Sequence, residues 1–193
     1  MSITFEELVA MLNQALEARR PLPVVTPAEL PAPSAPNQDE LIVTMAASYQ
    51  LPEDIVRAMV LHESVGGITH AIRFEPTFYD KYIKGREMNY CPEHCSHETE
   101  RIGRATSWGL MQVMGETARC NGFRGWFPEL CTPVVGLEWG CRYLRRLADK
   151  HLAEGGWPTV MRAYNGGPGN KDNLASPYPD KILALIPGNV WPE

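Results

Sequence analysis

Leu51-Pro52-Glu53-Asp54-Ile55-Val56-Arg57-Ala58-Met59-Val60-Leu61-His62-Glu63-Ser64, followed by the pair Gly66-Gly67, predicts a well-bounded amphipathic helix. Pro52 has the fixed φ that suits a first helical turn, Glu53 and Asp54 favour the positive end of a helix, and the glycines permit a stop. Ile55, Val56, Met59 and Val60 recur at helical spacing and form the buried stripe, and Glu63 falls four residues after Met59 on that stripe. A carboxyl group is thereby aimed at the core. Withdrawal from water disfavours its anion and raises its pKa, which a general acid working near neutral pH requires. A helix-end glutamate paired with a buried arginine is the alternative for Glu63 taken alone.

Working outward, Asp39 to Tyr49 reads as a second amphipathic helix, with Leu41, Ile42, Met45, Ala46 and Tyr49 on one face and Asn37 or Asp39 as cap. Before it, Phe5, Leu8, Val9, Leu12 and Leu16 mark a short helix within residues 1 to 20. That helix either packs on its own domain or docks a protein partner. Six prolines between residues 21 and 36 form an extended, semi-rigid connector, so residues 1 to 36 are read as helix and linker and 37 to 193 as one domain.

Beyond Ser64 the periodicity weakens. Arg73-Phe74-Glu75-Pro76 reads as extended and Phe78 to Tyr82 as a short aromatic helix, followed by a polar, cysteine-bearing loop. Ser107 to Ala118 is apolar and helical in its second half. Pro133 to His151 is the clearest helix, with Leu137, Cys141, Leu144, Leu147 and Ala148 on one face. Gly155-Gly156 breaks it, Pro158 opens another, and a last short helix follows Pro179. No long strand pattern and no internal repeat occurs, so the expected class is mainly α.

Composition narrows the functions. The net charge of -5 is concentrated in residues 1 to 40, with six acids and two arginines, and the remainder holds 17 acids against 16 bases. Without a basic stripe to draw a phosphate backbone, nucleic acid is not the expected partner. No apolar run approaches the roughly 20 residues of a membrane span, and the N-terminus lacks the pattern of a signal peptide. Cys91-Pro92-Glu93-His94-Cys95-Ser96-His97 has a metal-like composition, but one short segment can rarely wrap a zinc ion, and disulfides or free thiols remain alternatives. No cofactor and no metal is expected.

Two further stretches bear on chemistry. Gln112 sits inside the apolar run Gly109-Leu110-Met111-Gln112-Val113-Met114, where an amide normally has a partner. Ala163-Tyr164-Asn165-Gly166-Gly167 puts a phenol and an amide at a helix end facing a glycine-rich turn. Taken in order, His62-Glu63-Ser64, Gly109-Leu110-Met111-Gln112 and Ala163-Tyr164-Asn165-Gly166-Gly167 resemble the lytic transglycosylase catalytic domain, a lysozyme-like fold related to goose-type lysozyme. The resemblance covers about residues 39 to 186. It implies cleavage of peptidoglycan glycan strands, with Glu63 as the single catalytic acid and Tyr164 beside it as hydrogen-bond donor. It also implies that Ser64, Gln112, Met114 and Asn165 bind substrate.

The chain departs from that pattern between the acid and the Gly-Leu-Met-Gln motif, where Arg73-Phe74-Glu75-Pro76 resembles phage-type muramidases. Glu75 is thus either a second carboxylate that directs water, held roughly 6.5 to 9.5 Å from the acid in an inverting enzyme, or the structural partner of Arg73. A function of another class, a silent peptidoglycan-binding or virion protein, is disfavoured by retention of the acid. With no signal peptide read, an enzyme of the cell wall is expected to be carried there by a phage particle, a secretion machine or release at lysis. Because the domain is expected to begin at Asn37, a chain lacking residues 1 to 36 should melt in one cooperative thermal transition. A broad, non-cooperative melt would instead place the N-terminal helix in the core.

Overall fold

In the computed structural model, residues 37 to 192 are described. The N-terminal helix and proline-rich connector expected from the sequence lie outside them. Helix α1 spans Gln38–Ser48, and the side chain of Asn37 caps it by accepting from the Asp39 amide. Helix α2 spans Glu53–Glu63. Pro52 stands just before its first turn in extended conformation rather than within it. The expected stripe is found, with Ile55, Val56, Met59 and Val60 at most 1% exposed.

After α2 the chain forms a small antiparallel sheet, β1 (Ile72–Phe74), β2 (Thr106–Trp108) and β3 (Val113–Met114), in the order β1-β2-β3. Arg73 pairs with Ser107, and Ser107 with Met114. The turn joining β2 to β3 depends on Gly109, whose φ of +67° is left-handed and whose backbone lies so close to the Leu130 carbonyl that a Cβ would come within 2.1 Å of it. Pro76–Phe78 begins a helical turn that widens into a π-turn over Tyr79–Ile83, which matches the short aromatic helix read from the sequence.

Helix α3 (His97–Arg104) stands in place of the polar loop expected from the sequence. Ser96 caps it, its hydroxyl accepting from the Thr99 amide at 3.1 Å. The helix hides from hydrophobic periodicity because its buried face is ionic. Glu100 (1% exposed) and Arg104 (4%) point inward together with Gly103.

Helix α4 (Gly115–Cys120) then supplies Arg119. Glu100 accepts from Arg104 at 2.9 Å and from Arg119 at 2.8 and 3.0 Å, and Arg104 also donates to Glu116 at 2.9 Å. Remaining donors are spent on the carbonyls of Tyr90, Phe123 and Gly125, and the Arg119 guanidinium lies 4.0 Å over the Phe127 ring. Such charges are tolerable in the interior because every one is paired and hydrogen-bonded.

Helix α5 runs Pro133–Gly166 and is interrupted at Gly155 and Gly156, where the sequence placed a break. Helix α6 (Tyr178–Leu183) follows. α5 packs on both α1 and α6, and α2 is held between the same two, so the core joins Ile42, Ile55, Met59, Leu144, Met161 and Ile182. The fold is mainly α, as expected. Glu100→Gln leaves Arg104 and Arg119 short of an anion in a dry interior. It should lower unfolding free energy by about 3–5 kcal/mol, read from urea denaturation at neutral pH.

Candidate active site

Glu63 is the last residue of α2, and Ser64 fastens that end. The Ser64 side chain is wholly buried, and its hydroxyl donates back to the Val60 carbonyl at 2.7 Å. It closes the helix and is not part of the cleft lining, whereas the resemblance implies a substrate-binding role for it. Glu63 itself points into a cleft of about 620 Å³ whose lining includes Arg73, Glu75, Gln112, Met114, Tyr164 and Asn165. All the site residues named from sequence except Ser64 thus converge on one cavity.

The hydrogen-bond partner of Glu63 is not the one expected. The Tyr178 hydroxyl, from the first turn of α6, donates to Glu63 Oε1 at 2.5 Å. Tyr164 lines the same cleft, but its hydroxyl donates to the Met111 carbonyl at 2.8 Å. That carbonyl lies in the buried β2–β3 turn and needs a donor, which the phenol supplies. Tyr178 is only 4% exposed, its ring meeting His62 edge-on at 5.4 Å between centroids. It shares the buried face of α6 with Ile182, so its position in the sequence carries no signal that sets it apart from a core residue.

Burial raises the Glu63 carboxyl above the usual carboxylate range, and the Tyr178 hydrogen bond and the nearby Arg73 charge offset part of that rise. Both tyrosines are held well above their ordinary value, by burial first and then by the Glu63 charge, so each stays a protonated donor. Gln112 adopts a left-handed backbone, φ +45°, and its amide donates to the carbonyls of Ala71 at 2.9 Å and Gly109 at 3.0 Å. It stitches the loop before β1 to the β2–β3 turn. Met114 forms the floor, its sulfur accepting from the Ser107 hydroxyl at 3.1 Å, and Asn165 is exposed at the rim. Glu75 accepts from Arg73 Nε at 2.5 Å, the pairing of its structural alternative.

All five cysteines are free thiols. The Cys91 thiol donates to the Cys95 carbonyl at 3.3 Å, and burial pushes the Cys95 thiol up. Among the described residues, no three His, Cys, Asp or Glu side chains gather as a metal ion would require, and no helix is long and apolar enough to cross a membrane.

A family model described as the transglycosylase SLT domain matches residues 40–182, most of the chain. The chain belongs to that family. The described residues of this SLT domain carry the mainly α fold that the sequence resemblance implied. A solved structure of an inactive mutant of the lytic transglycosylase Slt from Pseudomonas aeruginosa is similar at 19% identity and a TM-score of 0.47, over 82% of this chain and 21% of that one. This SLT chain therefore spans about a fifth of that protein's length.

The tyrosine–glutamate bond is directly testable. Tyr178→Phe removes a donor that favours the anion, so the Glu63 carboxyl, followed by carbon NMR during a pH titration, should ionise at higher pH than in the parent protein. An unchanged or lower value would contradict the assignment.

Proposed function

We propose that this SLT-family chain is a peptidoglycan lytic transglycosylase that cleaves the β-1,4 bond between N-acetylmuramic acid and N-acetylglucosamine. The observation that carries this reading is a carboxyl raised by burial and held by Tyr178, lining a cleft of about 620 Å³. Protonated Glu63 donates its proton to the linking oxygen, the bond to the muramic C1 breaks, and the substrate's own N-acetyl oxygen relieves the positive charge. Glu63 is then an anion, and Arg73 nearby stabilises it.

As base, Glu63 takes the proton of the muramic C6 hydroxyl, whose oxygen closes on C1. The products are a 1,6-anhydromuramoyl end and a free N-acetylglucosamine hydroxyl, and Glu63 recovers its proton. The nucleophile belongs to the substrate, so no activated water or second carboxylate is needed. Tyr178 keeps the carboxyl oriented through both transfers. Gln112, Met114, Tyr164 and Asn165 serve as cleft lining.

Hydrolysis by a muramidase is the second reading, because Glu75 opens onto the same cleft. Its engagement by Arg73 supports a structural role instead. Glu63→Gln should still bind glycan strands and lose on the order of 10²-fold or more in rate. Mass spectrometry of released muropeptides should show anhydro ends, about 18 mass units lighter than hydrolysed ones because one water is never added, with Glu75→Gln only modestly slower. Reducing ends together with an inactive Glu75→Gln would make the protein a muramidase. A Glu63→Gln variant with normal turnover would sink both readings in favour of another site.

A further inference from the structure

The wall of the cleft built by residues 72 to 83 carries cationic donors that the proposed reaction leaves free to meet substrate. Alternate residues of a strand face opposite sides, so Arg73 lines the cleft while its neighbours Ile72 and Phe74 line a separate apolar groove behind the sheet. Arg73 spends only Nε, on Glu75, and its side chain is 71% exposed. Among the described residues, nothing meets its two terminal nitrogens. Lys81, on the π-turn, also lines the cleft, exposed and 4.9 Å over the Tyr82 ring, and no carboxylate among the described residues pairs with it. The other rim, Asn165 to Asn170, is uncharged. Of the cleft-lining residues within 72 to 83, Arg73 and Lys81 carry positive charge against Glu75 alone, because Asp80 is not part of the lining and pairs with Lys84 at 3.3 Å.

Neutral donors suffice for sugar hydroxyls. A guanidinium with two parallel donors free and a mobile ammonium beside it fit an anionic substituent better. On a glycan strand containing muramic acid that substituent is the lactyl ether at C3. It ends in a carboxylate when bare and in a peptide with carboxylates of its own when substituted. We propose that Arg73 and Lys81 form a carboxylate-recognising subsite that takes the lactyl substituent of the muramoyl unit beside the scissile bond. The proposal rests on reading the cleft as a peptidoglycan site.

Binding separates it from turnover. The full chain carrying Glu63→Gln is titrated calorimetrically with soluble glycan oligomers, either peptide-bearing or stripped to the bare lactyl group, each with carboxylates intact or capped as neutral amides. Capping should weaken binding about tenfold. Adding Lys81→Met should abolish most of that difference, and Lys81→Arg should restore it. Dependence in the peptide-bearing strands alone assigns the anion to the peptide, and dependence in the stripped strands assigns it to the lactyl carboxylate. Equal binding of charged and capped strands overturns the subsite and leaves the reading of the cleft standing. A charge preference that survives removal of both Arg73 and Lys81 overturns the assignment to these residues. No binding to any strand overturns the reading itself, and the subsite with it.

Discussion

A carboxyl group withdrawn from water at the end of a helix is unstable as an anion and idle as an acid unless something holds its geometry. In this protein that constraint is met by the bond between Glu63 and Tyr178, two residues 115 positions apart. Burial raises the acid, and the phenol limits the rise while fixing which oxygen is committed. For that bond to form, α2 and α6 must be packed together, and α5 must carry both α1 and α6. Ser64 turning inward at the end of α2 is part of the same arrangement, because it closes the helix where the acid has to leave it.

The cleft opposite the acid depends on a sheet of three very short strands, too small to be stable alone. It is stiffened from both sides. Toward the cleft, Gln112 ties the β2–β3 turn to the loop before β1, and Tyr164 ties that turn to α5. Behind the sheet, the Trp108 ring stacks on Phe127 with centroids 5.7 Å apart, and Phe127 in turn covers Arg119. The ionic cluster of Glu100, Arg104 and Arg119 thus buttresses the strand that places Arg73 and leads to Glu75. The raised carboxyl of Glu63 and the scaffold charge are kept apart. Glu63 is left without a salt bridge, whereas Glu100, more deeply buried, has two.

The segment from Cys91 to His97 shows how composition misleads when geometry is local. Two thiols and two imidazoles within seven residues suggest a metal, yet Cys95 closes a turn through its amide onto Pro92, and Ser96 then starts a helix. His94 and His97 are exposed, and the thiols turn to backbone carbonyls.

Local features follow from the residues alone. The stripe of α2, the long helix from Pro133 with its glycine break, the short aromatic turn after β1 and the mainly α class all follow from periodicity and stop signals, which report on one element at a time. The order of three motifs also sufficed to gather Glu63, Gln112, Met114, Tyr164 and Asn165 around one cavity. Helix α3 was illegible because its buried face is made of charges, whose burial is permitted only by partners on α4. Only the packing of distant elements brings Tyr178 rather than Tyr164 to Glu63, turns Ser64 inward and sets the paired Arg73 and Glu75 along the cleft. The physical reason is that a side chain's face is set by its own helix or strand, whereas its partner is set by how distant elements pack.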